Sequence, residues 1–135
     1  MEPLTEAIRR ADLALARGAS YHEVLALLDA AERIPGANAW APGLAQRRLV
    51  VAMYFNRPVE DVERALQARL DLEPDQLARM VSAGAAYATH PELRSYFDRE
   101  IALFEDIPNC AIRAHVREHA AKVRSTVRRK FGSDV

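Results

Sequence analysis

Helix-starting signals recur along this chain and leave little room for any other secondary structure. Pro3, Pro58, Pro74 and Pro91 each precede a stretch in which apolar residues repeat every three or four positions. Proline suits the first turn of a helix, because its fixed φ angle is helical and its missing N–H would have no partner there. No stretch alternates apolar and polar residues as a half-buried strand does. The pattern therefore predicts an all-α protein.

Other residues mark where the helices begin and end. Gly18 can end the first helix in a left-handed conformation, and Gly132 can end the last one. Ser20 and Glu23 form a capping box that opens the second helix. Pro35 and the glycine after it stop that helix. These boundaries predict about seven helices with short connections, which favour antiparallel neighbours.

Length and charge restrict the class of protein. The chain has 135 residues, half of them apolar, which is enough for one domain with its own core. Its 19 basic residues balance its 19 acidic ones, so attraction of the whole molecule to nucleic acid or anionic lipid is not expected. The longest apolar run, residues 49–55, is too short to cross a membrane. The single cysteine excludes an internal disulfide, and with no signal-peptide pattern at the N-terminus it favours the cytoplasm.

The spacing of the proline breaks indicates a repeat. Pro74 and Pro108 are 34 positions apart, and Pro35 and Pro74 are 39 apart. A period near 34 residues is typical of stacked helix pairs, in which each pair buries a face against the next. The predicted units are 3–38, 39–74 and 75–108, followed by a capping helix at 109–131.

Two short motifs within these units resemble the tetratricopeptide repeats. RLDLEPDQ at 69–76 is similar to the end of the second helix of such a repeat, and AGAAY at 83–87 is similar to its first helix. Gly84 would stand where two backbones approach, and Tyr87 would fill the helix pair. The resemblance implies a right-handed solenoid of antiparallel helix pairs. The first helix of the first unit lacks the small-residue and aromatic matches, and Trp40 falls in extra linker residues. An irregular helical bundle is the alternative.

The resemblance also implies a function. Members of this family bind helical or extended peptides in a concave groove lined by the first helix of each pair, so we expect a protein-binding adaptor or a small bacterial chaperone without cofactor or catalysis. Tyr54 and Phe55 would be its aromatic anchors. The alternative is that the same apolar residues only form a core. The groove-facing positions implied by the family are Leu44, Arg47, Val51, Tyr54 and Phe55 in the second unit, Ala78, Val81, Ala85, Ala88 and Thr89 in the third, and Ile112, His115, His119, Lys122 and Val123 on the capping helix.

The segment HVREH at 115–119 matches the H-x-x-E-H pattern of inverted zinc peptidases. His115 and His119 are four residues apart and would share one face of a helix, which is compatible with zinc binding. Such peptidases need a third ligand, and no glutamate follows His119 in this chain. Because two ligands do not close a tetrahedral site, we predict no metal centre here.

Nucleic-acid binding is a second hypothesis. Seven basic residues follow position 112, against only Glu118 and Asp134. A basic helix of this kind can follow a phosphate backbone. Basic residues near the C-terminus of a helix are also favoured by the helix dipole, which explains them without any ligand.

Overall fold

A computed structural model describes residues 2–132, and Asp134 lies outside this range. These residues form seven α-helices, two short 3-10 helices and no strand, which confirms the predicted all-α class. None of these helices is both long and apolar enough to cross a bilayer. The α-helices are α1 (Pro3–Ala16), α2 (Tyr21–Glu32), α3 (Ala41–Tyr54), α4 (Val59–Asp71), α5 (Gln76–Thr89), α6 (Arg94–Ala102) and α7 (Cys110–Phe131), and the 3-10 helices are Ala37–Trp40 and Pro91–Leu93.

Three of the predicted helix ends are formed by the residues expected. Ser20 Oγ accepts a hydrogen bond from the Glu23 amide at 3.2 Å and so caps α2. Gly18 and Gly132 have φ angles of 84° and 80°, the left-handed conformation that glycine adopts at least cost.

Two helix starts differ from the prediction. Pro74 does not open α5; Asp75 does, because its carboxylate accepts a hydrogen bond from the Leu77 amide at 3.2 Å. Pro91 opens a 3-10 turn, and α6 begins only at Arg94. A side-chain acceptor and a tight turn therefore displace these starts from the prolines by a few residues.

The chain divides into two compact units between Arg57 and Pro58. In the first unit, α2 packs against both α1 and α3. Arg48 on α3 reinforces this packing, because its guanidinium contacts Asp29 at 2.6 Å and Glu32 at 2.8 Å on α2. The buried core of this unit includes Leu4, Ile8, Ala11, Val24, Leu28, Ala31, Leu44 and Val51.

In the second unit, α5 is the central helix and packs against α4, α6 and α7. Arg79 on α5 holds the almost fully buried carboxylate of Glu100 on α6 at 2.6 Å. The same guanidinium donates a hydrogen bond to the carbonyl of Leu70 near the end of α4. A single arginine thus connects three helices.

Gly84 allows α5 to approach its neighbours closely. A Cβ atom at this position would lie 2.9 Å from Cε1 of Phe97 on α6 and 3.4 Å from Val123 on α7. The Phe97 ring is completely buried and packs against Tyr87, with ring centroids 5.7 Å apart. The missing side chain of Gly84 therefore makes room for the buried Phe97 ring.

We predict that Gly84→Ala destabilises the protein by about 1–3 kcal/mol, because the added methyl group forces the Phe97 ring to move within a close-packed core. The measurement is the free energy of unfolding in urea. Gly43→Ala is the matched control, since a Cβ atom there meets only Arg47 Nη1 at 3.4 Å. The control should be neutral or slightly stabilising. Equal effects of the two substitutions would contradict the proposed close approach at Gly84.

Candidate functional site

A cleft lies within the first unit, between α1 and α3. Because both helices pack on α2, its side chains Val24 and Leu28 form part of the cleft lining. The volume of the cleft is about 280 Å³. The residues that line it are Ala11, Asp12 and Leu15 from α1, Val24 and Leu28 from α2, and Gln46, Arg47, Val50 and Val51 from α3.

The spacing of the lining residues explains why they meet. Positions 11, 12 and 15 share one face of α1, and positions 46, 47, 50 and 51 share one face of α3. The lining is mostly aliphatic, with polar groups supplied by Asp12, Gln46 and Arg47. The cleft can therefore bury apolar side chains and also offer charged groups to a ligand.

An ion pair crosses from α3 to α1 at this cleft. Arg47 Nε and Nη2 lie 2.9 Å and 3.1 Å from the two carboxylate oxygens of Asp12, and Arg47 Nη1 donates to the Gly43 carbonyl at 3.2 Å. The side chains of Arg47 and Asp12 are 33% and 51% exposed. Since solvent screens such a pair, exchanging one partner for a ligand's charge costs little.

Exposed apolar side chains continue along the same helix. Val50 in the cleft is 37% exposed, and Tyr54, one turn further, is 66% exposed. The Tyr54 ring packs edge-on against Phe55 at 5.0 Å, and Phe55 in turn packs against Tyr21 at 5.8 Å. Tyr54 is therefore an exposed aromatic side chain that its neighbours support.

The predicted groove residues on α3, all in the first compact unit, have different environments. Arg47 and Val51 line the cleft, and Tyr54 lies exposed beyond it on α3. Phe55 is half-buried and contacts Tyr21. Leu44 and Val51 are each 2% exposed and both belong to the core. Leu44 is not part of the candidate site, and Val51 lines the cleft with almost no exposed surface.

The other predicted groove residues lie on α5 and α7, in the second compact unit. Val81 on α5 is 50% exposed. On α7, His115 and Lys122 are exposed, and Lys122 lies 3.3 Å from Glu118. His119 is half-buried, and its ring lies 6.4 Å from that of Phe97.

The two histidines of HVREH therefore have unlike surroundings, since His115 faces solvent and His119 contacts the interior. In the described range, no group of three or more His, Cys, Asp and Glu residues is placed to hold a metal ion. The segment functions structurally at least in part, because Val116 between the histidines is buried.

Sequence analysis missed Asp12, which completes the ion pair at the cleft. The predicted groove positions are counted back from the closing prolines of the second and third units, and none of them falls on the first helix. The available signal was an acidic residue next to the apolar series Leu4, Ile8, Ala11 and Leu15. That signal is weak, because an acid beside an apolar stripe usually faces solvent without a partner.

The basic residues of α7 are divided among several interactions. Arg124 lies 2.7 Å from Asp98 on α6, and Arg113 donates to the sulfur of Cys110 at 3.1 Å. Arg128, Arg129 and Lys130 occupy the last turn, next to the negative end of the helix dipole.

We predict that a double-mutant cycle of Asp12→Ala and Arg47→Ala gives a coupling free energy below about 1 kcal/mol, because both side chains are substantially exposed. Urea unfolding of the two single variants and the double variant measures it. The same cycle on Arg79 and Glu100 is the comparison, and it should give a clearly larger coupling because that carboxylate is buried. A coupling at Asp12 as large as at Glu100 would mean that the pair is a structural link rather than an exchangeable contact.

Comparisons with protein families, with curated proteins and with solved structures found no match to this chain. The resemblance to tetratricopeptide repeats therefore rests on the residues of the chain itself. The two motifs at 69–76 and 83–87 carry it.

Proposed function

We propose that this chain is a tetratricopeptide-like interaction module, with its helix pairs stacked as in that family, that binds a helical or extended segment of a partner protein and has no catalytic role. The observation that carries the proposal is the solvent-open aliphatic cleft between α1 and α3, next to the exposed Tyr54. An adaptor or small chaperone needs such a surface, because it recognises apolar side chains of its client.

The size of the cleft favours side chains of a peptide over a whole small molecule. Its volume of about 280 Å³ is slightly below the range typical of small-molecule sites. One or two apolar side chains of a partner would fit, and each fully buried one contributes about 1.5–3 kcal/mol. Additional contact would come from Tyr54, since exposed aromatic side chains often dominate binding energy at interfaces.

The charged pair at the cleft supports recognition of a polar group on the same segment. Arg47 presents a planar guanidinium, which binds carboxylates with two hydrogen bonds. A partner segment with an acidic residue beside its apolar side chains could therefore replace Asp12 on Arg47. Such an exchange would add specificity more than affinity.

Exposed residues of the second unit would also contact the partner. Val81, His115 and Lys122 were selected by the same resemblance and are accessible to a partner. His119 is less suited to direct contact, because its Nε2 atom is buried.

Nucleic-acid binding through α7 is the alternative, and the exposed basic residues of its last turn favour it. Two observations weaken it, since Lys122 and Arg124 already lie beside acidic side chains. Retention on a heparin column that falls steeply with salt would support this alternative.

We predict that peptides selected by the wild-type protein from a random phage-displayed library lose at least about tenfold in affinity for Tyr54→Ala and Val50→Asp, a loss of about 1.4 kcal/mol. Both positions are exposed, so the variants should fold. Fluorescence titration of the selected peptides measures the affinity, and circular dichroism confirms folding.

Leu103→Asp is the matched control, because Leu103 is 49% exposed but lies in the second unit, away from the cleft residues in sequence. Peptide binding should be unchanged in this variant. Failure to select any peptide, or equal affinity for wild type and both cleft variants, would contradict the proposal. The chain would then be a helical protein without a peptide groove.

A further inference from the structure

Three buried polar atoms of the second unit belong to side chains that surround one aromatic ring. The ring of Phe97 lies 5.7 Å from the ring of Tyr87 and 6.4 Å from the ring of His119, and the Arg124 guanidinium carbon lies 5.6 Å from its centroid. His119 Nε2 is shielded from solvent and has no hydrogen-bond partner within residues 2–132, whereas the Tyr87 hydroxyl and the Arg124 guanidinium interact with each other. Burial of a polar atom here without a hydrogen bond therefore reduces the free energy of unfolding.

The free-energy cost of burying the His119 ring increases when the ring takes up a proton. In the neutral ring, one nitrogen carries no hydrogen, and the shielded Nε2 can be that atom. In the imidazolium both nitrogens carry hydrogen, so Nε2 becomes a charged donor that faces no acceptor. Burial of such a donor costs more than burial of an unpaired neutral group.

The neighbouring charges on α7 act in the same direction. Burial lowers the pKa of His119 below its ordinary value of 6.5, and the positive charges of His115 and Lys122 lower it further. Glu118 is the adjacent acid on this helix, and it lies 3.3 Å from Lys122.

The helices packed against His119 supply no carboxylate to offset these charges. From α5, the group at the Phe97 ring is Tyr87, whose side chain carries a hydroxyl and no carboxylate. From α6, the nearest acid along the chain is Asp98, whose two oxygens are occupied by Arg124 at 2.7 Å and Arg94 at 3.2 Å. Protonated His119 would thus stand beside Arg124 without an ion-pair partner of its own.

Few residues of α7 are fully buried against the rest of the second unit. Of the 22 residues in this helix, only Val116, Ala120 and Val127 are buried. His119 lies between the first two of these on the side facing Phe97. A charge introduced here therefore disturbs a substantial part of the helix's contact with its neighbours.

We propose that α7 is an acid-sensitive element: protonation of His119 loosens its packing against α5 and α6 and leaves the first unit unchanged. This response does not depend on peptide binding in the cleft. It would release the helix that carries the basic residues Arg128, Arg129 and Lys130.

The sign of the pH dependence follows from the lowered pKa. Above pH 6.5, both the loosened and the packed states hold His119 neutral, and stability does not depend on this group. As the pH falls below 6.5, the loosened state takes up the proton first, so the packing of α7 weakens. The loss is complete once the pH is below the pKa of His119 in the packed state.

The test is amide hydrogen exchange of the full chain, followed by NMR at pH 7.5 and pH 5.5 and expressed as protection factors. We expect the protection of α7 amides to fall by about three- to tenfold at the lower pH, while that of α1 and α2 stays the same. An NMR titration of the four histidine rings in the same samples should give His119 a pKa below 6.5.

Two variants assign the response to this side chain. His119→Phe keeps a ring beside Phe97 and removes the titration, so the protection of α7 should no longer depend on pH. His115→Gln, at the exposed position one turn earlier, should still respond. The proposal is overturned if His119→Phe responds like wild type, if both units lose protection together, or if His119 titrates at or above 6.5. The last criterion needs only the wild-type protein, so it holds even if His119→Phe does not fold.

Discussion

The contact between the Phe97 ring and the backbone of α5 is the constraint on which the second unit depends. Gly84 has no side chain, so the ring can lie against the helix, and Tyr87 packs on it from one turn further along. The same ring contacts His119 and Arg124 on α7. One bulky side chain in one small gap therefore fixes how α5, α6 and α7 meet, and it also creates the poorly solvated surroundings of His119.

The first unit is organised differently around its central helix. There α2 packs against α1 and α3, and the described residues that line the cleft between the outer two helices include no aromatic side chain. The result is an open cleft with a partly exposed ion pair at its side rather than a closed core. The two units thus differ: one contains a solvent-open cleft, and the other holds a histidine nitrogen that is shielded from solvent.

Local sequence signals predicted where most of the helices begin and end. They did not predict whether a given face of a helix packs in the core or lines the cleft. Ser20, Gly18 and Gly132 act at the positions expected, because capping depends on a few neighbouring atoms. The starts of α5 and α6 shifted because Asp75 and a 3-10 turn compete with the prolines. For the site, Arg47 and Tyr54 lie in or beside the cleft, whereas Leu44 and Val51 are in the core, with Val51 also part of the cleft lining. The helical repeat of apolar residues selects cleft residues and core residues alike. It therefore does not distinguish a groove from a core.

The sequence by itself determined that the chain is all-α, that it has about seven helices, and where most of them end, since these properties depend on interactions within a few residues. Only the tertiary structure decided that Asp12 pairs with Arg47 across a cleft, and that His119 and not His115 has a buried nitrogen. These outcomes depend on which helices meet and how closely they approach. The distance of that approach is set by packing between residues far apart in the chain. The AGAAY motif indicated a close approach at Gly84, but not that the Phe97 ring of α6 would be the group that lies there.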